Sequence, residues 1–138
     1  MSGDFLDSNV LIYLFDPDPG RRSRAEAVVN AAHEAGGNIS FQVVQETLNV
    51  MMTKVASPMS LPEARRFLVD TLEPLWTVNP SPALYHRALG LRVRYGYAFY
   101  DSLIIAAALE AGCDRLLSED LQAGQAIEGL TIVNPFAT

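Results

Sequence analysis

The sequence has little of what several protein classes require. Its one cysteine, Cys113, excludes an intramolecular disulfide, and the apolar residues around it indicate a small core side chain rather than a reactive thiol. The apolar run from residue 10 to 15 is far too short to span a bilayer, so we expect no membrane association. No charged segment followed by an apolar one opens the chain, so we expect no signal peptide and a cytoplasmic location.

Positive charge is also scarce, because ten Lys and Arg residues stand against sixteen Asp and Glu, a net charge of −6. Proteins that bind nucleic acid passively through a broad basic face usually have the opposite balance. An acidic total is compatible with an enzyme whose carboxylates hold cations, because bound metal ions reverse the local field. The two histidines, His33 and His86, lie in predicted helices without metal-ligand spacing. Serine-hydrolase, P-loop and dinucleotide motifs are absent.

The length of 138 residues and the hydrophobic content of 49% predict one globular domain over residues 1–138. Short apolar segments alternate with helical ones along the chain. The predicted strands cover residues 5–12, 38–40, 76–78, 115–117 and 131–133. The predicted helices cover residues 22–35, 42–54, 61–72, 82–95 and 100–111. This alternation predicts an α/β fold with a central, parallel, roughly five-stranded sheet flanked by helices.

Four acids stand out, because a carboxylate within an apolar segment needs a partner. They are Asp7, Glu46, Asp101 and Asp120. Three of them lie at or after the end of a predicted strand, and Asp101 begins the most apolar helix. Ligands of open parallel sheets bind outside the carboxyl ends of the strands, so we expect all four in one crevice. Converging carboxylates repel each other unless cations neutralise them, and Mg²⁺ or Mn²⁺ prefer such oxygen ligands.

Each acid also has a simpler interpretation when it is taken alone. Asp7 suits a turn cap at a strand end, and Glu46 suits a solvated position near the positive end of a helix. Asp101 and Asp120 both suit helix or loop caps. The predicted topology favours the joint interpretation, because it brings the four positions to one edge of the sheet.

Around these acids the sequence resembles the PIN-domain ribonucleases, and specifically the VapC toxins of bacterial and archaeal toxin–antitoxin pairs. Residues 5–12, 45–46, 100–108 and 117–121 resemble the four acidic motifs of that family in order, and residues 129–136 resemble its ending. The resemblance covers nearly the whole chain and is least distinctive over residues 53–80. Ser8 and Ser118 stand where the family often has threonine, and both keep the hydroxyl group. The implied fold is the PIN-domain α/β/α sandwich.

The resemblance implies a Mg²⁺- or Mn²⁺-dependent endoribonuclease, the toxin of a type II VapBC pair, which inhibits translation and growth. Asp7, Glu46 and Asp101 are the expected metal ligands, directly or through water. Asp120 is expected to complete a second metal site or to act through water. Ser8, Asn9 and Ser118 are expected to orient water, phosphate or an acid. In this hypothesis, water activated by the metal attacks an RNA phosphodiester in line, and transfer or ribosomal RNA is the expected substrate class.

Positive and aromatic side chains near the acids are candidates for RNA contact. The arginine candidates are Arg87, Arg92 and Arg94, and a second cluster comprises Arg21, Arg22 and Arg24. A solvated helix face explains either cluster equally well. The aromatic candidates are Tyr95, Tyr97, Phe99 and Tyr100, for which packing in the core or in a dimer is the simpler use.

Partners and rival functions follow from the same residues. The resemblance implies a small VapB-like antitoxin, whose C-terminal segment obstructs the site, and a homodimer. Segments 43–55 and 64–72 supply either grooves for such partners or plain core. A structure-specific DNA nuclease, another metal-dependent phosphoesterase and a non-catalytic interaction module remain alternatives. A haloacid-dehalogenase-like phosphatase would need an aspartate where Asn9 stands, and a receiver domain would need a late lysine, whereas Lys54 is the only lysine.

Overall fold

The computed structural model describes residues 3–137, in which strands and helices alternate. Met1, Ser2 and Thr138, which belong to the predicted domain of residues 1–138, lie outside the described residues. The strands are β1 (Phe5–Leu6), β2 (Ile39–Ser40), β3 (Trp76–Val78), β4 (Arg115–Leu117), β5 (Ala126–Ile127) and β6 (Leu130–Val133). The helices are α1 (Ser8–Ile12), α2 (Pro19–Ala35), α3 (Phe41–Thr53), α4 (Leu61–Phe67), α5 (Pro82–Tyr95) and α6 (Phe99–Glu110).

The sheet is mostly parallel, as the alternation of elements predicted. One part has the strand order β1-β4-β6-β5, in which only β5 runs antiparallel to its neighbour, and the other pairs β2 with β3 in parallel. A parallel bridge between Phe5 and Asn38 joins the two parts. The helices flank this sheet, which confirms the expected α/β/α arrangement. The sequence pattern missed β5, which has two residues and forms a tight hairpin with β6 through Glu128 and Gly129.

The prediction of one strand over residues 5–12 is wrong beyond Leu6. Asp7 ends β1 and caps α1, because its side chain accepts a hydrogen bond from the Ser8 backbone N–H. Val10 and Leu11 are fully buried, but in a helix. Periodicity cannot distinguish a buried strand from a short buried helix, because both are apolar on every side. The chain therefore turns sharply at the first acid.

Helix α6 forms the centre of the core. Residues Ser102 to Ala108 are all buried, and the helix packs against α5, β2 and β4. Its high alanine content permits this close approach on several sides. Cys113 follows the helix and is buried, as its apolar surroundings predicted. Asp101 thus sits in the first turn of a helix that its neighbours hold firmly in place.

Helix α4 begins at a capping box formed by Ser60 and Glu63, whose spacing is typical of this motif. The Ser60 hydroxyl accepts a hydrogen bond from the Glu63 backbone N–H, and the Glu63 carboxylate accepts one from the Ser60 N–H. Helix α4 starts there and continues into one π-helical turn, Leu68–Leu72. Within residues 3–137, none of the helices combines the length and hydrophobicity that a membrane crossing requires.

Candidate active site

Asp7 is the most buried of the four acids, with 7% of its surface exposed. One carboxylate oxygen accepts a hydrogen bond from the Ser8 N–H at 2.8 Å, and the other accepts one from the Ser118 hydroxyl at 2.9 Å. Burial raises the pKa of Asp7 above its ordinary value, these two hydrogen bonds oppose that rise, and Asp120 and Asp101 add to it. Ser8 thus supports Asp7 through its backbone, and Ser118 does so through its side chain.

Ser118 joins the carboxyl end of β4 to the acid that ends β1. Its fully buried hydroxyl oxygen also accepts hydrogen bonds from the backbone N–H groups of Asp120, at 3.2 Å, and Leu121, at 3.4 Å. These two strands are hydrogen-bonded neighbours in the sheet, so the contact follows from their register. One hydroxyl therefore orients both Asp7 and the loop that carries Asp120.

Asn9 holds the same loop through its side-chain amide. Its side-chain N–H donates to the Asp120 carboxylate at 3.1 Å, and its side-chain oxygen accepts from the Glu119 backbone N–H at 3.2 Å. Asn9 is buried, with 7% of its surface exposed. The expected supporting role of Asn9 therefore has a physical basis, because both ends of its amide hold the segment that carries Asp120.

Glu46 lies on the second turn of α3, several residues past β2 rather than at a strand end. The pKa of Glu46 is raised to about 7, mainly by burial and in addition by charge repulsion from Asp7, Asp101 and Asp120. The residue nevertheless has an exposed side. The prediction that Glu46 lies at the end of a strand is therefore wrong. Glu46 is nevertheless close enough to the other three acids for their charges to raise its pKa.

Asp101 does not cap α6, so the simpler interpretation of this acid is wrong. The N-cap residue is Ala98, and it makes no side-chain capping bond. Burial raises the pKa of Asp101, and the negative charge of Asp120 raises it further. A partly buried acid with a neighbouring acid and no capping task suits a role in binding a cation.

The four acids together concentrate negative charge at one edge of the sheet. Their oxygen donors fit the preference of a hard divalent ion, and an ion between them would relieve the charge repulsion that, together with burial, raises the pKa values of Asp7, Glu46 and Asp101. Among residues 3–137, however, no three His, Cys, Asp or Glu side chains are gathered tightly enough to hold a metal ion as they stand. The fit therefore rests on donor chemistry and electrostatics, and metal binding stays a prediction.

The arginines predicted to contact RNA have partners within the protein. Arg87 lies 3.6 Å from the Glu128 carboxylate, and Arg92 donates a hydrogen bond to the Tyr97 carbonyl at 2.9 Å. The Arg94 guanidinium lies over the ring of Tyr95, 5.4 Å from its centre. These contacts within the protein account for the positions of the three guanidinium groups, and contact with RNA stays a prediction.

The aromatic candidates divide between packing and exposure. The ring of Phe99 stacks on Tyr85 with centres 6.4 Å apart and also contacts Tyr100 edge-on at 5.6 Å. Tyr100 is 68% exposed. Packing is therefore the main use of Phe99, whereas the ring of Tyr100 is accessible.

Tyr13 and Glu119, at the edge of the site, had no clear signal in the sequence. The Tyr13 hydroxyl donates a hydrogen bond of 2.5 Å to the Glu119 carboxylate, which raises the pKa of Tyr13 to about 12 because the bond favours the neutral phenol. Arg21 lies over the Tyr13 ring at 4.6 Å and reaches Glu119 at 4.0 Å. The only hint was the position of Glu119 beside Asp120, because Tyr13 and Glu119 are 106 residues apart.

Solved structures share this fold. A toxin–antitoxin complex from Klebsiella pneumoniae is 20% identical, has a TM-score of 0.71, and the match covers 98% of this chain and 99% of that one. FitAcB from Neisseria gonorrhoeae is 19% identical, with a TM-score of 0.65 and the same coverage. VapC20 from Mycobacterium tuberculosis, a toxin that cleaves the sarcin–ricin loop, is 18% identical, with a TM-score of 0.63 and coverage of 85% and 91%.

Sequence comparison assigns the family directly. None of the curated proteins matches the sequence significantly. The family model of the PIN domain matches residues 5–126, which include all four acids. The chain therefore belongs to the PIN-domain family, as the motifs around Asp7, Glu46, Asp101 and Asp120 predicted.

Proposed function

We propose that this protein is a Mg²⁺- or Mn²⁺-dependent endoribonuclease that hydrolyses RNA phosphodiester bonds. The observation that carries the proposal is the concentration of four carboxylates at the carboxyl edge of a parallel sheet. Besides burial, the charge of at least one other acid raises the pKa of Asp7, of Glu46 and of Asp101. Unrelieved repulsion of this kind is unfavourable for folding and favourable for cation binding. Membership of the PIN-domain family supports the same chemistry.

In this proposal Asp7, Glu46 and Asp101 hold the ion, directly or through water, and Asp120 completes a second position or acts through water. The ion supplies positive charge for phosphate oxygens and makes water more acidic near neutral pH. Ser118 and Asn9 are positioning residues, because they hold the carboxylates of Asp7 and Asp120 without needing to touch substrate.

We further propose that the enzyme is the toxin of a type II toxin–antitoxin pair, acts in the cytoplasm, and slows growth by cutting transfer or ribosomal RNA. One of the similar structures is a toxin–antitoxin complex and another is a toxin that cleaves the sarcin–ricin loop, which makes ribosomal RNA the first substrate to test.

Two surfaces suit the partners in this proposal. An apolar cavity of about 630 Å³, lined by Ile12, Met51 and Met59 among others, offers a place for an apolar segment of a VapB-like antitoxin. On α5, the exposed side chains of Leu89 and Val93 stand four residues apart on one face and suit the contact of a homodimer.

Cleavage assays test the enzymatic proposal. Purified protein is incubated with ribosomal RNA, transfer RNA and a DNA strand of matching sequence, with Mg²⁺, Mn²⁺ or EDTA. We expect cleavage of RNA alone, only with a metal ion, and its loss in Asp101→Asn. The matched control is Asp70→Asn, the same chemical change at an exposed residue after α4, which should retain full activity.

Three results would contradict the proposal in different ways. An Asp101→Asn protein with an intact fold and full activity would remove the acidic site from the reaction. Cleavage of DNA in place of RNA would favour a DNA nuclease. A protein without metal binding, and without growth arrest when it is expressed alone, would favour a non-catalytic interaction module.

A further inference from the structure

A second cavity lies at the same edge of the sheet as the acids. It measures about 530 Å³ and is formed by the start of α2, with Arg21 and Arg24, and by the segment after β6, with Pro135 and Phe136. Because β6 runs parallel to β4, and β4 runs parallel to β1, the residues that follow β6 lie at the edge that carries Asp7. The volume suits a small ligand such as one nucleotide.

Tyr13 connects this cavity to the acidic site. Its ring contacts the Phe136 ring edge-on, with centres 4.9 Å apart, and its hydroxyl donates to Glu119. The residue after Glu119 is Asp120, and Asn9 holds both of them through hydrogen bonds. Direct contacts through Tyr13 and Glu119 therefore connect Phe136, in the wall of the cavity, to the segment that carries Asp120.

Both arginines of this cavity are exposed, and neighbouring groups hold each of them in place. Arg24 donates its Nε–H to the Pro135 carbonyl at 2.7 Å, which holds the guanidinium beside the cavity and uses one of its five N–H donors. Arg21 is held over the Tyr13 ring, and its guanidinium makes only a long contact of 4.0 Å with the Glu119 carboxylate. In contrast, Arg115 makes a close ion pair with Asp4 at 2.6 Å. Asp18 also lines the cavity, but its carboxylate is occupied as the N-cap of α2.

We infer that this cavity binds a nucleotide of the RNA strand that flanks the bond to be cut, an inference that rests on the proposed function. Arg21 and Arg24 contact the phosphate, since planar guanidinium groups match its oxygens, and the Phe136 ring contacts the base. A protein with a net charge of −6 repels a polyanion at long range, so an RNA strand needs local positive charge beside the acids. This cavity supplies two cations and an aromatic ring together at that place.

RNA binding without cleavage tests the inference. The assay uses Asp101→Asn protein in EDTA and measures fluorescence anisotropy of a labelled single-stranded oligouridylate at several salt concentrations. Adding Arg21→Gln and Arg24→Gln is expected to weaken binding about tenfold or more and to reduce the slope of log K against log salt by about one. The matched control adds Arg65→Gln and Arg66→Gln on α4, which removes the same charge from another exposed helix face and should leave the slope unchanged.

Two further variants separate charge from folding. Arg21→Lys with Arg24→Lys keeps both charges but loses the planar groups, so it should retain the salt slope that the glutamine variant loses. Phe136→Leu should weaken binding about fivefold, because it removes the stacking surface but keeps apolar bulk. Oligouridylate containing 5-iodouridine should crosslink on irradiation to the peptide that contains Phe136, as identified by mass spectrometry.

The outcomes distinguish this inference from the proposed function. An Arg21→Gln, Arg24→Gln protein that binds within twofold of its parent with the same slope overturns the inference, as does a crosslink that maps to Arg92 or Arg94. Binding of an acidic peptide in place of RNA also overturns it and assigns the cavity to a protein partner. If RNA binds through these arginines but the protein with Asp101 intact cleaves none, RNA binding at this cavity stands and the proposed function fails.

Discussion

The hydroxyl of Ser118 offers the sharpest test of how the acidic site is held together. Replacing Ser118 with alanine removes a fully buried donor to the Asp7 carboxylate, at 2.9 Å, together with the acceptor for two backbone N–H groups. A hydrogen bond to a charged group contributes about 1.5–3 kcal/mol, and the two longer backbone contacts add less. We therefore expect Ser118→Ala to lower the free energy of unfolding by about 3 kcal/mol and the melting temperature by about 10 °C.

The pH dependence of this loss identifies its cause. The Ser118 hydrogen bond lowers the pKa of Asp7, so its loss raises that pKa further. A raised carboxyl pKa means that the folded state holds a proton which the unfolded state releases, so stability falls as pH rises between the unfolded and the folded pKa values. The destabilisation by Ser118→Ala should thus be larger at about pH 8 than at about pH 2.5, where Asp7 is protonated in both the folded and the unfolded state.

Thermal and urea unfolding at both pH values, without metal, measure the effect. The control is Ser118→Thr, which keeps the hydroxyl and is expected to retain the stability difference between the two pH values. A loss of stability in Ser118→Ala that is equal at both pH values would refute the argument, because it would show that the hydroxyl does not act on the charge of Asp7.

Two other predictions concern charge and backbone. The pKa of Glu46 rises from 4.5 to about 7, so metal-free protein should lose stability as pH rises through that window, by about 1 kcal/mol after allowance for the exposed side of the residue. Glu46→Gln should flatten the pH profile of the melting temperature, and a profile that remains steep would contradict the repulsion. In the turn between β5 and β6, Glu128 has a left-handed φ of 52° and Gly129 has a φ of 90°. Asparagine tolerates a left-handed φ better than glutamate does, so Glu128→Asn should stabilise the hairpin by about 0.5 kcal/mol. We expect this gain even though the change removes the exposed ion pair with Arg87. A lower melting temperature in that variant would show that the pair with Arg87 matters more than the turn.

Much of the architecture was readable from local patterns. The helix starts at Ser60 and Ser81 follow from capping side chains, and both are present. The strands at residues 76–78 and 115–117 follow from short apolar runs between helices, and their bounds agree with the structure. The patterns failed at residues 7–12, where a short buried helix and a buried strand have the same composition.

The sequence by itself identified the four acids, because a carboxylate beside an apolar run is unusual wherever the chain goes. Only the tertiary structure decided their partners. Ser118 reaches Asp7, and Asn9 reaches Asp120, across 111 residues of chain, because β1 and β4 are neighbours in the sheet. The hydrogen bond from the Tyr13 hydroxyl to the Glu119 carboxylate has the same origin. Strand order is set by the packing of the whole core, and no local periodicity records it, so these contacts appear only in the folded chain.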